Sequence, residues 1–108
     1  MSIKLLQINF TINIPRAEYE LANAPWTGPI SQVAGLRWKT WIINEAQHEA
    51  GGIYLFDDEA SLQAFLAGPI VADLKSDPSL NASIKSFDVS QGLSEATRAP
   101  IDERVRAE

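Results

Sequence analysis

The stretch "WKTWIINEAQHEAGGIYLF", residues 38–56, gathers most of the side chains in this chain that could do chemistry. His48 is the only imidazole. Its ordinary pKa lies near neutrality, so it is a candidate general base and a candidate ligand for haem iron. Tyr54 could give a proton to a phenolic oxygen or take one from it, and Arg37, just upstream of the stretch, could stabilise the resulting anion. Trp41 and Trp38 offer flat faces for stacking an aromatic molecule, and Phe56 adds another ring. Each of these residues also suits ordinary strand packing, where aromatics are favoured. Gly51-Gly52 fits a bulge better than a ligand contact.

Other chemistries find little support. "HEAGG" lacks the second histidine, four residues on, of a zinc-protease helix. The chain has no cysteine, which removes thiol nucleophiles, disulfides and thiolate metal sites and suits a reducing cytoplasm. The carboxylates do not cluster, so no metal site is expected. No phosphate-binding glycine loop, nucleotide fingerprint or contiguous Ser-His-Asp arrangement is visible.

The elements that would position these residues follow from periodicity. In "IKLLQINFTINI", residues 3–14, Leu6, Ile8, Phe10, Ile12 and Ile14 share one parity, and Gln7, Asn9, Thr11 and Asn13 the other, as in a strand with one apolar face. Pro15 opens a helix that Pro25, Gly28 and Pro29 break or kink before Gly35. Residues 36–43 and 48–56 read as a hairpin. A helix capped by Asp57 or Asp58 runs to Gly68, a second short helix starts at Pro69, and residues 80–89 form a last strand. The order β-α-β-β-α-β predicts an α+β, ferredoxin-like fold, a four-stranded antiparallel sheet with helices on one face.

A turn at Glu45-Ala46 would pair Asn44 with Gln47 and place Trp38 opposite Ile53, Trp41 opposite Ala50 and Arg37 opposite Tyr54. Leu36, Trp38, Ile42, Ile53 and Leu55 would then face the helices. Arg37, Lys39, Trp41, Ile43, Tyr54 and Phe56 would occupy the second face, too apolar for solvent, which a second subunit could cover.

The 108 residues, 45% hydrophobic and 21% charged, describe one globular domain. A net charge of −5 and a pI near 4.8 disfavour nucleic acid and anionic membranes as partners. The opening "MSIKLLQINFTINIPR" alternates like a strand, unlike a signal peptide. No apolar run approaches the roughly 20 residues that span a bilayer. Residues 1–90 are expected to form the domain and 91–108 a tail too polar for a core of its own, with Leu93 and Ile101 docking on a partner protomer.

"GLRWKTWIINEAQHEAGGIYLFDDEASLQAFL", with "LLQINF" before it and "KSFDV" after it, resembles the YdhR-type mono-oxygenase family of the dimeric α+β-barrel superfamily. The resemblance spans residues 3–96 and implies a homodimer packed sheet against sheet. It further implies a mono-oxygenase with no cofactor, acting on a small aromatic or quinol-like compound. Relatives use an asparagine and a tryptophan in their pockets, which makes Asn9 and Trp41 candidates here. A non-enzymatic binder of a small aromatic or apolar molecule is the alternative, and so is a haem-binding or haem-degrading protein using His48.

Overall fold

The computed structural model describes residues 2–102. Strand β1 (Lys4–Thr11) leads into helix α1 (Arg16–Asn23), a 3-10 turn and helix α2 (Thr27–Ser31). Strands β2 (Leu36–Asn44) and β3 (Glu49–Phe56) follow as a hairpin. Helices α3 (Glu59–Leu66) and α4 (Pro69–Lys75) precede strand β4 (Ser83–Asp88), and helix α5 (Gln91–Ala96) comes last. The four strands form one sheet in the order β2-β3-β1-β4, antiparallel throughout. This is the expected ferredoxin-like arrangement.

Local sequence explains the boundaries. Pro15 stands before α1 with an extended backbone, and Pro25 sits in the 3-10 turn that ends it. The Asp58 side chain caps α3 by accepting from Ser61 N–H at 2.8 Å, satisfying one of the orphan donors of the first turn. Pro69 opens α4, where a missing N–H has no cost.

The principal core joins Leu6, Ile8, Leu36, Tyr54 and Phe56 of the sheet to Ile30, Leu62, Phe65 and Val71 of the helices. The hairpin faces are therefore the reverse of the expectation. Tyr54 and Phe56, with Lys39 and Trp41 beside them, meet the helices; Trp38, Ile53 and Leu55 lie on the outer face. The expected and observed registers differ by two residues, so Lys39, Trp41 and Tyr54 still share a face and only the layer covering it differs; two features set the observed register. Asn44 caps a 3-10 turn at 45–47 by accepting from Gln47 N–H, and His48 takes a left-handed backbone, φ 55°. Asn44 then pairs with Glu49 instead of Gln47, so Trp41 faces Gly52 and Lys39 faces Tyr54. A bulge also falls between Leu36 and Trp38, not at Gly51-Gly52. It lets Leu36 join the helix-side core while Trp38 turns outward, and it removes Arg37 from the pairing.

The outer face holds a second cluster of Ile3, Leu55 and Ile101, flanked by Leu5, Trp38 and Val89. The tail thus folds back on its own sheet. Arg37 Nη1 donates to Ile101 C=O at 2.6 Å, and Trp38 Nε1 donates to Pro100 C=O at 2.8 Å. Ile101, expected on a partner, is buried within its own chain, whereas Leu93 is 74% exposed. The remainder of the tail, residues 103–108, lies outside the described residues.

Candidate active site

Between the helix-side face of the sheet and helices α1, α2 and α4 opens a cavity of about 430 Å³. Phe10 of β1, Lys39 and Trp41 of β2 and Tyr54 of β3 supply its sheet wall; Tyr19 and Asn23 of α1, Trp26 of the turn and Ile30 of α2 supply one side. Pro69, Ile70, Asp73 and Leu74 of α4 supply the other. A neighbouring depression of about 330 Å³ shares Tyr19, Asn23 and Trp41 and extends the space beneath α1. The size and the apolar lining, with a few polar groups, are those of a small-molecule site.

Lys39 crosses this wall. Its Nζ lies 3.4 Å from the Trp41 ring centroid and 4.6 Å from that of Tyr54, so both aromatic faces hold the cation. Gly52, opposite Trp41, makes room for it: a Cβ there would meet Lys39 Cε at 2.5 Å. Gly51 is a glycine for a different reason, because a Cβ would collide with the Ile8 carbonyl of β1. Burial lowers the Lys39 pKa from 10.5 to about 8.

Burial also pushes the Tyr54 phenol well above its ordinary 10, with nearby Tyr19 adding to the effect. Tyr54 therefore stays protonated at any physiological pH and can donate a hydrogen bond but not act as a base. Its ring packs against Phe65 at 5.1 Å and Phe56 at 6.3 Å between centroids, which fixes the position of the phenol. Tyr19 is 6% exposed, and its Oη is buried without a hydrogen-bond partner among the described residues. Desolvation raises its pKa too. A buried hydroxyl left unsatisfied costs free energy unless something else bonds it.

Of the candidate residues, the cavity brings together only Trp41 and Tyr54. Phe56 is fully buried behind Tyr54 as core. Arg37 donates from Nε to Asp57 at 2.8 Å and, with Trp38, holds the tail on the opposite face of the sheet. Asn9 is also on that face, accepting from Gln7 and donating to Glu49. His48 sits exposed at the hairpin tip, outside the cavity lining. Among the described residues no group of three or more His, Asp or Glu is placed to hold a metal ion. No helix among them is long and apolar enough to cross a membrane.

Lys39, Tyr19, Trp26 and Phe10 escaped the sequence reading. Phe10 was legible from the apolar parity of β1. Trp26, in the Pro- and Gly-rich "APWTGP", was legible as a large aromatic with no strand or helix face to fill. Lys39 was placed beside Trp41 on one face, but that face was assigned to a partner.

A ferredoxin-like α+β fold with an aromatic cavity between sheet and helices defines a small domain with a candidate small-molecule site. The chain belongs to the family described as "Putative mono-oxygenase ydhR", whose model matches residues 5–100. No curated protein matches it in sequence. Its fold is similar to that of SnoaB, a cofactor-independent oxygenase from Streptomyces nogalater, with a TM-score of 0.64, 17% identity, and 84% of this chain and 96% of that one covered. It is also similar to NE2512, a protein of unknown function from Nitrosomonas europaea, at TM-score 0.62 and 23% identity over 83% of this chain and 91% of that one. A third likeness is the haem-degrading protein Rv3592 from Mycobacterium tuberculosis, at TM-score 0.57 and 18% identity over 83% and 94% of the two chains.

Proposed function

We propose that the protein is a mono-oxygenase that oxidises a small aromatic or quinol-like compound in the cavity walled by Trp41 and Tyr54, without a cofactor. The carrying observation is the cavity itself: a box of Phe10, Trp26, Trp41 and Tyr54 rings large enough for two or three fused rings. Family membership and the likeness to a cofactor-independent oxygenase support the reading.

In this reading the substrate binds flat against Trp41 and loses a proton. The carbanion or phenolate passes one electron to dioxygen, and the two radicals combine into a carbon-bound peroxide. Loss of water from that peroxide leaves a carbonyl, so a CH₂ group and O₂ become C=O and H₂O. The protein binds, orients and desolvates the anion. Tyr54, held in its protonated form, donates a hydrogen bond to the developing oxyanion. Oxygen consumption with anthrone, one O₂ per anthraquinone formed and no hydrogen peroxide released, is the expected result, with binding of 1-naphthol followed alongside. Saturable binding of anthrone and 1-naphthol with no uptake above the buffer rate means a binding protein instead.

The haem reading has the likeness to a haem-degrading protein in its favour. His48 lies outside the cavity, so haem ligation by His48 would have to occur at the hairpin tip. We further propose that two copies associate through the outer face of the sheet, where Phe87, 48% exposed, lies opposite half-buried Leu5, and half-buried Ile53 lies two strands away on the same face.

A further inference from the structure

The cavity contains two polar groups that have no hydrogen-bond or ion-pair partner among the described residues. Lys39 has only aromatic faces for company and makes no ion pair among the described residues. Tyr19 carries a buried hydroxyl without a partner. A cation and a hydroxyl in an apolar, aromatic box complement one kind of molecule: a flat ring system with an acidic hydroxyl that becomes an oxyanion, and a second oxygen.

We propose that Lys39 is the group that accepts the proton of the substrate's phenol or enol and then holds the oxyanion, while Tyr19 donates a hydrogen bond to the ligand's other oxygen. This deepens the oxygenase reading and rests on the cavity being its substrate site. The step moves one proton and no electron: a neutral amine and a phenol become an ammonium and a phenolate. Lys39 that is already protonated captures a phenolate that has lost its proton to water, and the bound state is the same.

The surroundings favour that ion pair. Among the described residues Asp73 of α4 is the only carboxylate lining the main cavity; it is exposed and not paired to Lys39, and Glu20 lies in the adjoining depression. Arg16 and Glu20 line the adjoining depression, where they pair with each other at 3.0 Å and so offset each other's charge. The Trp41 and Tyr54 rings flank the ammonium, and from α1, the 3-10 turn and α2 the main cavity is lined among the described residues by uncharged Tyr19, Asn23, Trp26 and Ile30. In a partly buried, largely apolar site a charge pair is worth more than in water. The lowered pKa of Lys39 places an appreciable fraction of neutral amine within reach of ordinary pH, so the group can serve as a base.

The test reads ionisation of a bound chromophore, separately from oxidation. The probe is 4-nitro-1-naphthol, whose phenolate absorbs in the visible, titrated with pH on the full chain without oxygen. We expect the bound probe to ionise at a pH lower by about one unit than the free probe, a roughly tenfold preference for the anion. Lys39→Met should abolish that shift, and Lys39→Arg, which keeps the charge but cannot accept a proton, should retain it and slow oxygen uptake with anthrone to the rate at which phenolate arrives from water. Gly52→Ala, which pushes Lys39 aside without removing it, should diminish the shift. Tyr19→Phe should weaken binding of a two-oxygen probe such as 2-hydroxy-1,4-naphthoquinone more than that of the naphthol. Failure of the probe to bind, the absence of a shift in the unmodified protein, or an equal shift in Lys39→Met overturns the proposal. A shift without oxygen uptake leaves the Lys39 assignment standing and removes the oxygenase reading, while uptake without a shift does the reverse.

Discussion

Trp41 illustrates how one side chain can be identified correctly by type and placed against the wrong neighbour. Two tryptophans three residues apart marked β2 as unusual, and Trp41 does wall a cavity, yet it does so beneath α1 and α4 of its own chain. Truncating it should harm binding more than folding. Trp41→Ala is expected to weaken binding of 1-naphthol by about tenfold, or 1.4 kcal/mol. Because the residue is only half-buried, the loss of stability should fall below the ~3–5 kcal/mol of a full core truncation; calorimetric titration and a thermal melt measure the two effects. Lys39 yields a second expectation at this scale. Its folded-state pKa is lowered, so the unfolded chain binds its proton more tightly, and stability rises with pH as it passes from about 8 towards 10.5. Denaturant unfolding of Lys39→Met should lack that rise. Below pH 8 the variant should melt a few degrees higher, because a partly buried cation has been removed. A protein whose stability is flat across that window, or a variant that melts lower, contradicts the assignment.

Among the elements, the bulge at Arg37 and the returning tail form one device. The bulge frees the Arg37 guanidinium from the sheet pairing and turns Trp38 outward, and these two side chains then hold the carbonyls of Ile101 and Pro100. Ile101 is 4% exposed against Ile3 and Leu55. Ile101→Ala should therefore cost about 2–5 kcal/mol, the range for emptying a buried aliphatic site. A chain ending at Val89 should lose at least as much. Because the tail and the cavity occupy opposite faces of the sheet, such a chain should still bind 1-naphthol at temperatures where it is folded. An unchanged melting temperature would show that the tail contributes nothing to the domain. The elements themselves were readable because their signals are local: alternation in β1, proline at the start of α1 and α4, an aspartate cap on α3. The hairpin register was not readable. It depends on an Asn44 side-chain cap and a left-handed His48, which extend the turn beyond Glu45-Ala46.

For the whole molecule, the open question is what covers the outer face of the sheet. The tail shields one end, leaving Phe87 and Leu93 exposed and Ile53 half-buried. Exposed apolar surface on a sheet face marks an association site, and obligate interfaces bury about 2,000 Å² or more. A dimer at micromolar concentration is expected by light scattering, and Phe87→Lys should shift it towards monomer without emptying the cavity on the other face. A monomeric mass for the unmodified protein at that concentration removes the proposal.

The family and the β-α-β-β-α-β order were determined by the sequence alone, because signature residues and period-two or helical spacing survive without knowledge of contacts. So was the sharing of a face by Lys39 and Trp41, since strand parity fixes it, and Tyr54 joins them because the observed register differs from the expected one by two residues. Which layer covers that face was decided only in three dimensions. β1 sits between β3 and β4, and its Leu6, Ile8 and Phe10 pair with Tyr54, Gly52 and Ala50, so all six must turn to the same side. The helices cover that side because burying the apolar stripe of β1 with Phe56 against Leu62, Phe65 and Val71 outweighs keeping Lys39 in water. The broken α1–α2 segment then leaves a gap in the cover, and the gap is the cavity.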